Sequence, residues 1–273
     1  MNLRRSFWRS VETIHHVVYF EAGGKERFEA LGLKGQRMGY FASRAVPLGR
    51  PGPEVVIATF HGFAPSLVHR AIPAAWELAD LDQILQARLD QGRDVIRPGV
   101  EASGVDIARA ADVMIQALPT LDLTVRPLAA GNVGLPVPAD DLGRLWHGAT
   151  VLREYRGDSH LAVLATEGLG GVEANVLMVA AGLTFTAQQS MRGWTDEEWA
   201  AGHDRLRERG WLDDAGVLTE SGGAARAAIE DATDRATLAG IPSSTQAALA
   251  EVSDDLITIS KAIVASGAEP SYS

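Results

Sequence analysis

Side chains that titrate or coordinate near neutral pH form two groups in this chain, and both groups lie among apolar residues. The first group falls within one predicted helix and consists of Glu12, His15, His16 and Tyr19. Residues four apart share a helical face, so this helix can present a carboxylate, an imidazole and a phenol together. The second group surrounds Gly157 and consists of Tyr155, Arg156, Asp158 and His160. A helix is expected to break at Gly157, which would make these side chains converge.

Two further candidates lie between these groups. Arg44 stands near the end of an otherwise apolar helix, and His61 follows a short apolar run. We expect a ligand pocket where the first helix, the Arg44 helix and the break at Asp158 meet. In this pocket Arg44 or Arg156 would engage an anionic or carbonyl group of the ligand, and the histidines would donate hydrogen bonds.

Each candidate also has a purely structural interpretation. His160 could hydrogen-bond Asp158 within a helix cap. Arg44 could pair with Glu12 across two helices, or it could cap the carbonyls before Pro47. His147 is expected at the solvent-exposed edge of its helix. The residue pattern leaves these alternatives open.

A metal ion or haem iron is a further alternative, held by His15 or His16 together with His61 and His160. The spacing does not favour it, because no HxxxH or HxH pair would pre-organise such a site. The chain contains no cysteine, which excludes disulfides and thiolate ligands. It also lacks the GxGxxG, Walker, HExxH and GxSxG motifs, so no catalytic residue is assigned.

Composition indicates an ordinary globular protein. The 273 residues are 46% hydrophobic, enough for one large core or two smaller ones. With 25 basic and 35 acidic side chains the formal net charge is -10, so the average surface repels the phosphate backbone of nucleic acids. No apolar run is long enough to span a membrane and no signal peptide opens the chain. We therefore expect a cytoplasmic protein with no membrane partner.

The spacing of apolar residues predicts a mainly α-helical fold. We expect an N-terminal helical half, 1–118, a proline-rich irregular connector, 119–138, and a C-terminal half, 139–273. Residues 30–45 and 166–181 share a glycine-rich turn and an apolar helix, at a constant offset of 136 residues. This echo is either a coincidence or the trace of two pseudo-symmetric, degenerate winged-helix halves.

The segment 194–234 predicts its own local structure. Thr195 and Glu198 form a capping box at a helix start, and Gly210 supplies the left-handed residue that ends this helix. A tight polar turn at 213–216 then joins two short strands. A second helix follows directly, so the predicted order is helix, small wing, helix.

This order resembles the back half of a MarR-type winged helix. The resemblance rests on the pattern L-x-x-R-G-W-L…G-x-L-T-x-x-G, which is formed by Leu206, Arg209, Gly210, Trp211, Leu212, Gly216, Leu218, Thr219 and Gly222. More widely, the chain resembles an actinobacterial family of uncharacterised helix-turn-helix-containing proteins in the runs ETIHHVVYF, GYFASRAVPLG, LREYRGDSHLAVL and RGWTDEEW. The resemblance implies a fold but no established reaction.

In the winged-helix interpretation, the helix that follows Thr195 would read DNA with its N-terminal turn. That turn carries Asp196, Glu197 and Glu198, whose negative charge would repel DNA. We therefore expect a small-molecule-binding protein, a sensor or a sequestering protein, whose scaffold does not read DNA. The alternatives are a MarR-like, homodimeric, ligand-responsive transcriptional regulator and an enzyme that uses histidine, tyrosine and arginine, with or without a metal or haem.

Overall fold

The computed structural model describes residues 3–21 and 23–268, and these residues form sixteen α-helices and no strand. Short 3-10 turns extend several of the helices, as at Val17–Phe20, which continues the first helix. The mainly α-helical class predicted from the sequence is therefore confirmed.

The N-terminal half and the connector contain nine helices. These are α1 (Arg5–His16), α2 (Gly24–Glu29), α3 (Gly35–Ala45), α4 (Pro53–Thr59), α5 (Pro65–His69), α6 (Ala75–Leu78), α7 (Leu81–Ser103), α8 (Ile107–Ala117) and α9 (Pro127–Val133). The last of them lies inside 119–138, the segment predicted to be irregular. Proline is compatible with a helix at this position, since Pro127 is the first residue of α9. The amide hydrogen that proline lacks would have no partner at the first position of a helix.

The C-terminal half contains seven helices. These are α10 (Asp141–Thr166), α11 (Gly171–Ala180), α12 (Gln188–Arg192), α13 (Asp196–Glu208), α14 (Glu220–Ala239), α15 (Ser243–Glu251) and α16 (Ser253–Ala265). The capping box predicted at the start of α13 is present, with Thr195 and Glu198 each bonded to the backbone amide of the other. Gly210 has the predicted left-handed conformation, with φ of 70°.

The two series of helices match in register. Helices α3 and α11 begin 136 residues apart, and so do α8 and α15. Helices α7 and α14 end at the same separation. The start of α10 lies at the same offset from the start of α1. Of the two interpretations of the sequence echo, coincidence and duplication, neither is tested by these bounds.

Three hydrophobic clusters organise the helices. The central core takes residues from α1, α7, α8, α10, α15 and α16. The N-terminal lobe is packed around residues 28–84, with Leu128 added from α9. The C-terminal lobe is packed around residues 163–229. Within the central core, α1 packs against α16 and α10 against α8, so the first helix of each half is held by the last helices of the other.

The helix break predicted at Gly157 is wrong, because α10 continues through this residue to Thr166. A glycine inside a helix costs only about 1 kcal/mol, and α10 is buried on most of its faces between Leu145 and Ser159. Asp158 does act as a cap, but for a different helix. Its carboxylate accepts hydrogen bonds from the amides of Leu128 and Ala129, at 3.0 and 2.9 Å, at the start of α9.

The predicted strand pair after α13 is reduced to one antiparallel bridge between Leu212 and Leu218. The turn that joins them is held by Asp213, whose carboxylate accepts the amides of Ala215 and Val217 at 2.9 and 2.8 Å. With so few residues on each side, the segment cannot extend its ladder. The order of helix, wing and helix is nevertheless the predicted one.

Across the described residues, no single helix is long and apolar enough to cross a membrane. Helices α10 and α11 reach the required length and apolarity only when they are taken together. They are bent by 102° at their junction.

The packing of α7 on α16 gives a direct test of the central core. A methyl group at Gly99 would overlap the backbone of Ile263, so Gly99→Ala should reduce the free energy of unfolding by about 1–3 kcal/mol or more. The matched control is Gly223→Ala, at a helical position with space for the methyl group, and it should be neutral or slightly stabilising. Urea unfolding measures both, and equal effects would contradict this packing.

Candidate functional site

A buried ion cluster joins the N-terminal lobe to the central core. Its centre is Glu154 of α10, whose side chain is 1% exposed. Arg44 of α3 donates two hydrogen bonds of 3.0 Å to the two carboxylate oxygens. Arg153 donates a third, at 2.8 Å. Burial opposes ionisation of Glu154, but these two guanidiniums hold the pKa of its carboxyl well below the usual range.

A neutral imidazole lies beside this carboxylate. His15 is fully buried, and its Nε2 is 3.8 Å from Oε1 of Glu154. The same Nε2 is 2.9 Å from the Tyr19 hydroxyl, and Nδ1 is 3.0 Å from the Thr150 hydroxyl. Burial lowers the pKa of His15 well below its ordinary value, and nearby arginines add to the effect. The ring therefore acts as a hydrogen-bonding group without charge.

The cluster is completed by one phenol and a second carboxylate. Arg44 donates to the Tyr40 hydroxyl at 2.9 Å, and Arg153 donates to the half-exposed Glu12 carboxylate at 3.0 Å. Arg44 also lies over the Phe60 ring, 4.5 Å from its centroid. Each of the three guanidinium nitrogens of Arg44 thus has a hydrogen-bond partner within the protein.

Positive charge exceeds negative charge in this interior. Arg88 and Arg192 lie close enough to the cluster to interact electrostatically with Arg44, and neither forms an ion pair with a described carboxylate. Arg192 instead lies over the Phe63 ring, 4.3 Å from its centroid. The region therefore carries an unbalanced positive charge in low-dielectric surroundings, which favours anions.

A half-open pocket of about 270 Å³ adjoins the cluster. Its apolar walls are formed by Leu85, Leu89, Leu135, Pro136 and Pro138. Arg88, Trp146 and His147 also line it. The Trp146 ring stacks on His15 with centroids 6.1 Å apart, so this tryptophan contacts both the pocket and the ion cluster.

Four of the ten site residues predicted from the sequence come together in the cluster, namely Glu12, His15, Tyr19 and Arg44. The expected pairing of Arg44 with Glu12 is wrong, since each binds a different partner. His16 lies on the adjacent face of α1 and binds the backbone carbonyl of Glu12 at 2.8 Å.

The other predicted residues lie elsewhere, because the helix break that was to gather them does not exist. Tyr155 is fully buried beneath the Arg126 guanidinium, which lies 4.4 Å from its ring centroid. Arg156 pairs with Glu230 and Asp234, both at 2.9 Å. These contacts attach α10 to α14 and to the chain before α9.

The histidines proposed as metal ligands do not converge. His61 Nε2 is 3.2 Å from the carbonyl oxygen of Leu169. His160 Nδ1 is 2.9 Å from the Thr233 hydroxyl, so the expected bond to Asp158 is wrong. Within the part of the chain that the structure describes, no three histidine, aspartate or glutamate side chains are placed to hold a metal ion.

Sequence reasoning missed the centre of the cluster and the polar side of the pocket. Glu154, Arg153, Tyr40, Arg88, Arg192 and Trp146 were not among the candidates, and His147 is 4% exposed although a solvent-facing position was expected. One signal was available, because the run GATVL at 148–152 has only small or apolar residues around every face of a helix. A helix of this kind is buried all round, and a carboxylate two residues after the run, here Glu154, must find cations inside the protein.

The burial of His160 predicts how the free energy of unfolding depends on pH. Burial lowers its pKa to about 4, whereas a histidine in the unfolded chain titrates near ~6.5. As the pH falls between these values, the unfolded chain binds a proton that the native protein does not, and stability falls by up to about 1.4 kcal/mol per pH unit. His160→Asn should make this fall shallower in urea unfolding at a series of pH values.

Thr233→Val is the matched control for this experiment. It removes the hydrogen-bond partner of His160 but keeps the imidazole, so stability should fall while the pH slope is retained. An identical slope in His160→Asn and the unaltered protein would show that His160 is not held neutral.

Comparison with known proteins agrees with this architecture. The model of a helix-turn-helix family matches residues 4–270, a span that includes both lobes and the central core. No curated protein and no solved structure gives a significant match. Because the family model covers nearly the whole chain, this protein belongs to that helix-turn-helix family.

Proposed function

We propose that this protein binds a small organic molecule in its interior, on a helix-turn-helix scaffold that does not read DNA. The observation that carries the proposal is the pocket of about 270 Å³ beside the ion cluster. Three of its lining residues, Arg88, Trp146 and His147, each have a buried side-chain nitrogen without a hydrogen-bond partner. Buried polar atoms are nearly always paired, so unpaired ones around a pocket favour a ligand.

The C-terminal lobe supports the second half of the proposal. In helix-turn-helix proteins that read DNA, the N-terminal turn of the recognition helix faces the bases. In α13 this turn exposes Asp196, Glu197 and Glu198, which would meet the negative potential of the groove.

The basic residues of α13 do not compensate for this acidic turn, because protein groups already bind them. Arg205 pairs with Glu173, and Arg207 pairs with Asp204. Arg209 donates to the carbonyl oxygens of Glu167 and Gly168, both at 2.9 Å. Contact with phosphates would require these interactions to be exchanged.

The N-terminal lobe lacks an equivalent reading helix. At the offset of 136 residues, the helix that corresponds to α13 is α5, which has only 5 residues. A two-fold reader needs two such helices, about 34 Å apart. The paired halves would therefore present at most one reading helix, and that helix carries the acidic turn.

A MarR-like, ligand-responsive regulator is the second candidate function. The C-terminal lobe favours it, since α13, the Leu212–Leu218 bridge and α14 keep the order of a winged helix. In that case DNA binding would depend on a single lobe or on a homodimer of the chain. The two candidates differ in one measurable property, which is affinity for duplex DNA.

Fluorescence anisotropy with a labelled random duplex at physiological salt tests that property. We expect no binding tighter than the nonspecific level of ~10⁻⁴ to 10⁻⁶ M. Asp196→Asn and Glu197→Gln remove two negative charges from the N-terminal turn of α13. These substitutions should raise the affinity for the duplex if the carboxylates repel DNA. Tight binding by the unaltered protein would favour the regulator instead.

Thermal unfolding in the presence of a panel of acidic, basic and neutral organic molecules tests ligand binding. A ligand of the native state stabilises it by about 2.7 kcal/mol at 100 times its Kd, which raises the melting temperature by several degrees. At least one chemical class should do so. If no class does, while DNA binds tightly, the proposed function is wrong.

A further inference from the structure

The pocket beside the ion cluster contains a buried positive charge without a counter-charge. Arg88 is 6% exposed, and its Nη1 donates to Oδ1 of Asn132 at 3.0 Å. Its Nη2 is buried and has no hydrogen-bond partner. The guanidinium lies over the Trp146 ring, 5.2 Å from the centroid. Among the described residues, no carboxylate forms an ion pair with it.

An unpaired charge in this position costs stability. Removing a cation from water is unfavourable unless an anion and hydrogen bonds replace the lost hydration. Arg44 and Arg153, in the neighbouring cluster, both have Glu154 as a counter-ion. The contrast suggests that Arg88 receives its counter-ion from outside the protein.

Two further polar groups of the pocket also lack a hydrogen-bond partner. Trp146 Nε1 and His147 Nε2 are buried without partners. Burial, assisted by Arg88, lowers the pKa of His147 to about 4, so the imidazole is neutral. With Arg88, these residues form the buried polar part of an otherwise largely apolar lining. Asp82 also lines the pocket, but it is exposed, so solvent screens its charge.

We propose that this pocket binds a small organic acid, with the ligand carboxylate on Arg88 and its apolar body against the leucine and proline walls. This rests on the proposed function and specifies the ligand class of the same site. A guanidinium fork matches the two oxygens of a carboxylate. The volume of about 270 Å³ equals the space of about nine water molecules, which suits a molecule of one ring and a short acid chain.

The test compares two acids with their own amides. Benzoate and 3-phenylpropanoate should raise the melting temperature and bind in calorimetric titration, with Kd in the millimolar range or tighter. Benzamide and 3-phenylpropanamide have the same shape without the charge, and they should bind more than tenfold more weakly.

Arg88→Met removes the guanidinium and keeps an apolar side chain of similar reach. It should abolish the response to both acids. Removal of an unpaired buried charge favours the ligand-free protein and loss of the Asn132 hydrogen bond opposes it, so its melting temperature should change little. Arg97→Met is the matched control, an exposed arginine of the same helix, and it should bind both acids normally. Arg88→Lys keeps the charge but loses the fork and should bind several-fold more weakly.

Three results would overturn the inference. They are equal affinity for acids and amides, failure of both acids to bind the unaltered protein, and normal acid binding by Arg88→Met. If Arg88→Met does not fold, the inference is still tested by the ratio of acid to amide affinities and by the affinity of Arg88→Lys for the acids. If neutral or basic compounds of the panel stabilise the protein while acids do not, the proposed function stands and only this ligand class is wrong.

Discussion

The bidentate ion pair between Arg44 and Glu154 is the interaction on which the rest of the structure depends. It connects α3 of the N-terminal lobe with α10, the central helix of the core, and it is largely buried, with Glu154 1% and Arg44 11% exposed. Loss of one partner would leave a buried charge, which typically costs about 3–5 kcal/mol. The pair therefore fixes the lobe against the core. It also sets the positions of His15, Tyr19 and Arg153, all of which contact one of its members or a direct neighbour.

The polar side chains that α3 contributes to this interior have no equivalent at an offset of 136 residues. At the offset of 136 residues, the positions that correspond to Tyr40 and Arg44 are Val176 and Ala180, which cannot carry charge. The N-terminal lobe thus has a short α5 and contributes Tyr40 and Arg44 to the ion cluster. The C-terminal lobe keeps its wing. Such asymmetry agrees with the proposed ligand site, which lies between helices and not on the outer surface of the lobes. Charged residues that are retained inside a core despite their cost in stability agree with this view.

Local features of the fold were predictable and long-range ones were not. The capping box at Thr195, the left-handed Gly210 and the His15–Tyr19 contact depend on residues within four positions of each other. The Arg44–Glu154 pair spans 110 residues, and no local pattern encodes such a contact. Asp158 shows the difference most clearly, because its side chain is a helix cap as predicted, yet the helix that it caps lies about thirty residues earlier. Burial of α10 outweighed the helix-breaking tendency of Gly157.

A double-mutant cycle on Arg44→Gln and Glu154→Gln tests the central claim most directly. If the two side chains form one buried ion pair that holds the lobe to the core, each single substitution should lower the free energy of unfolding strongly. The double variant should then lose far less than the sum, with a coupling energy of at least about 1.5 kcal/mol. Losses that add to within about 0.5 kcal/mol would show that the residues act independently, and this account of the structure would be wrong.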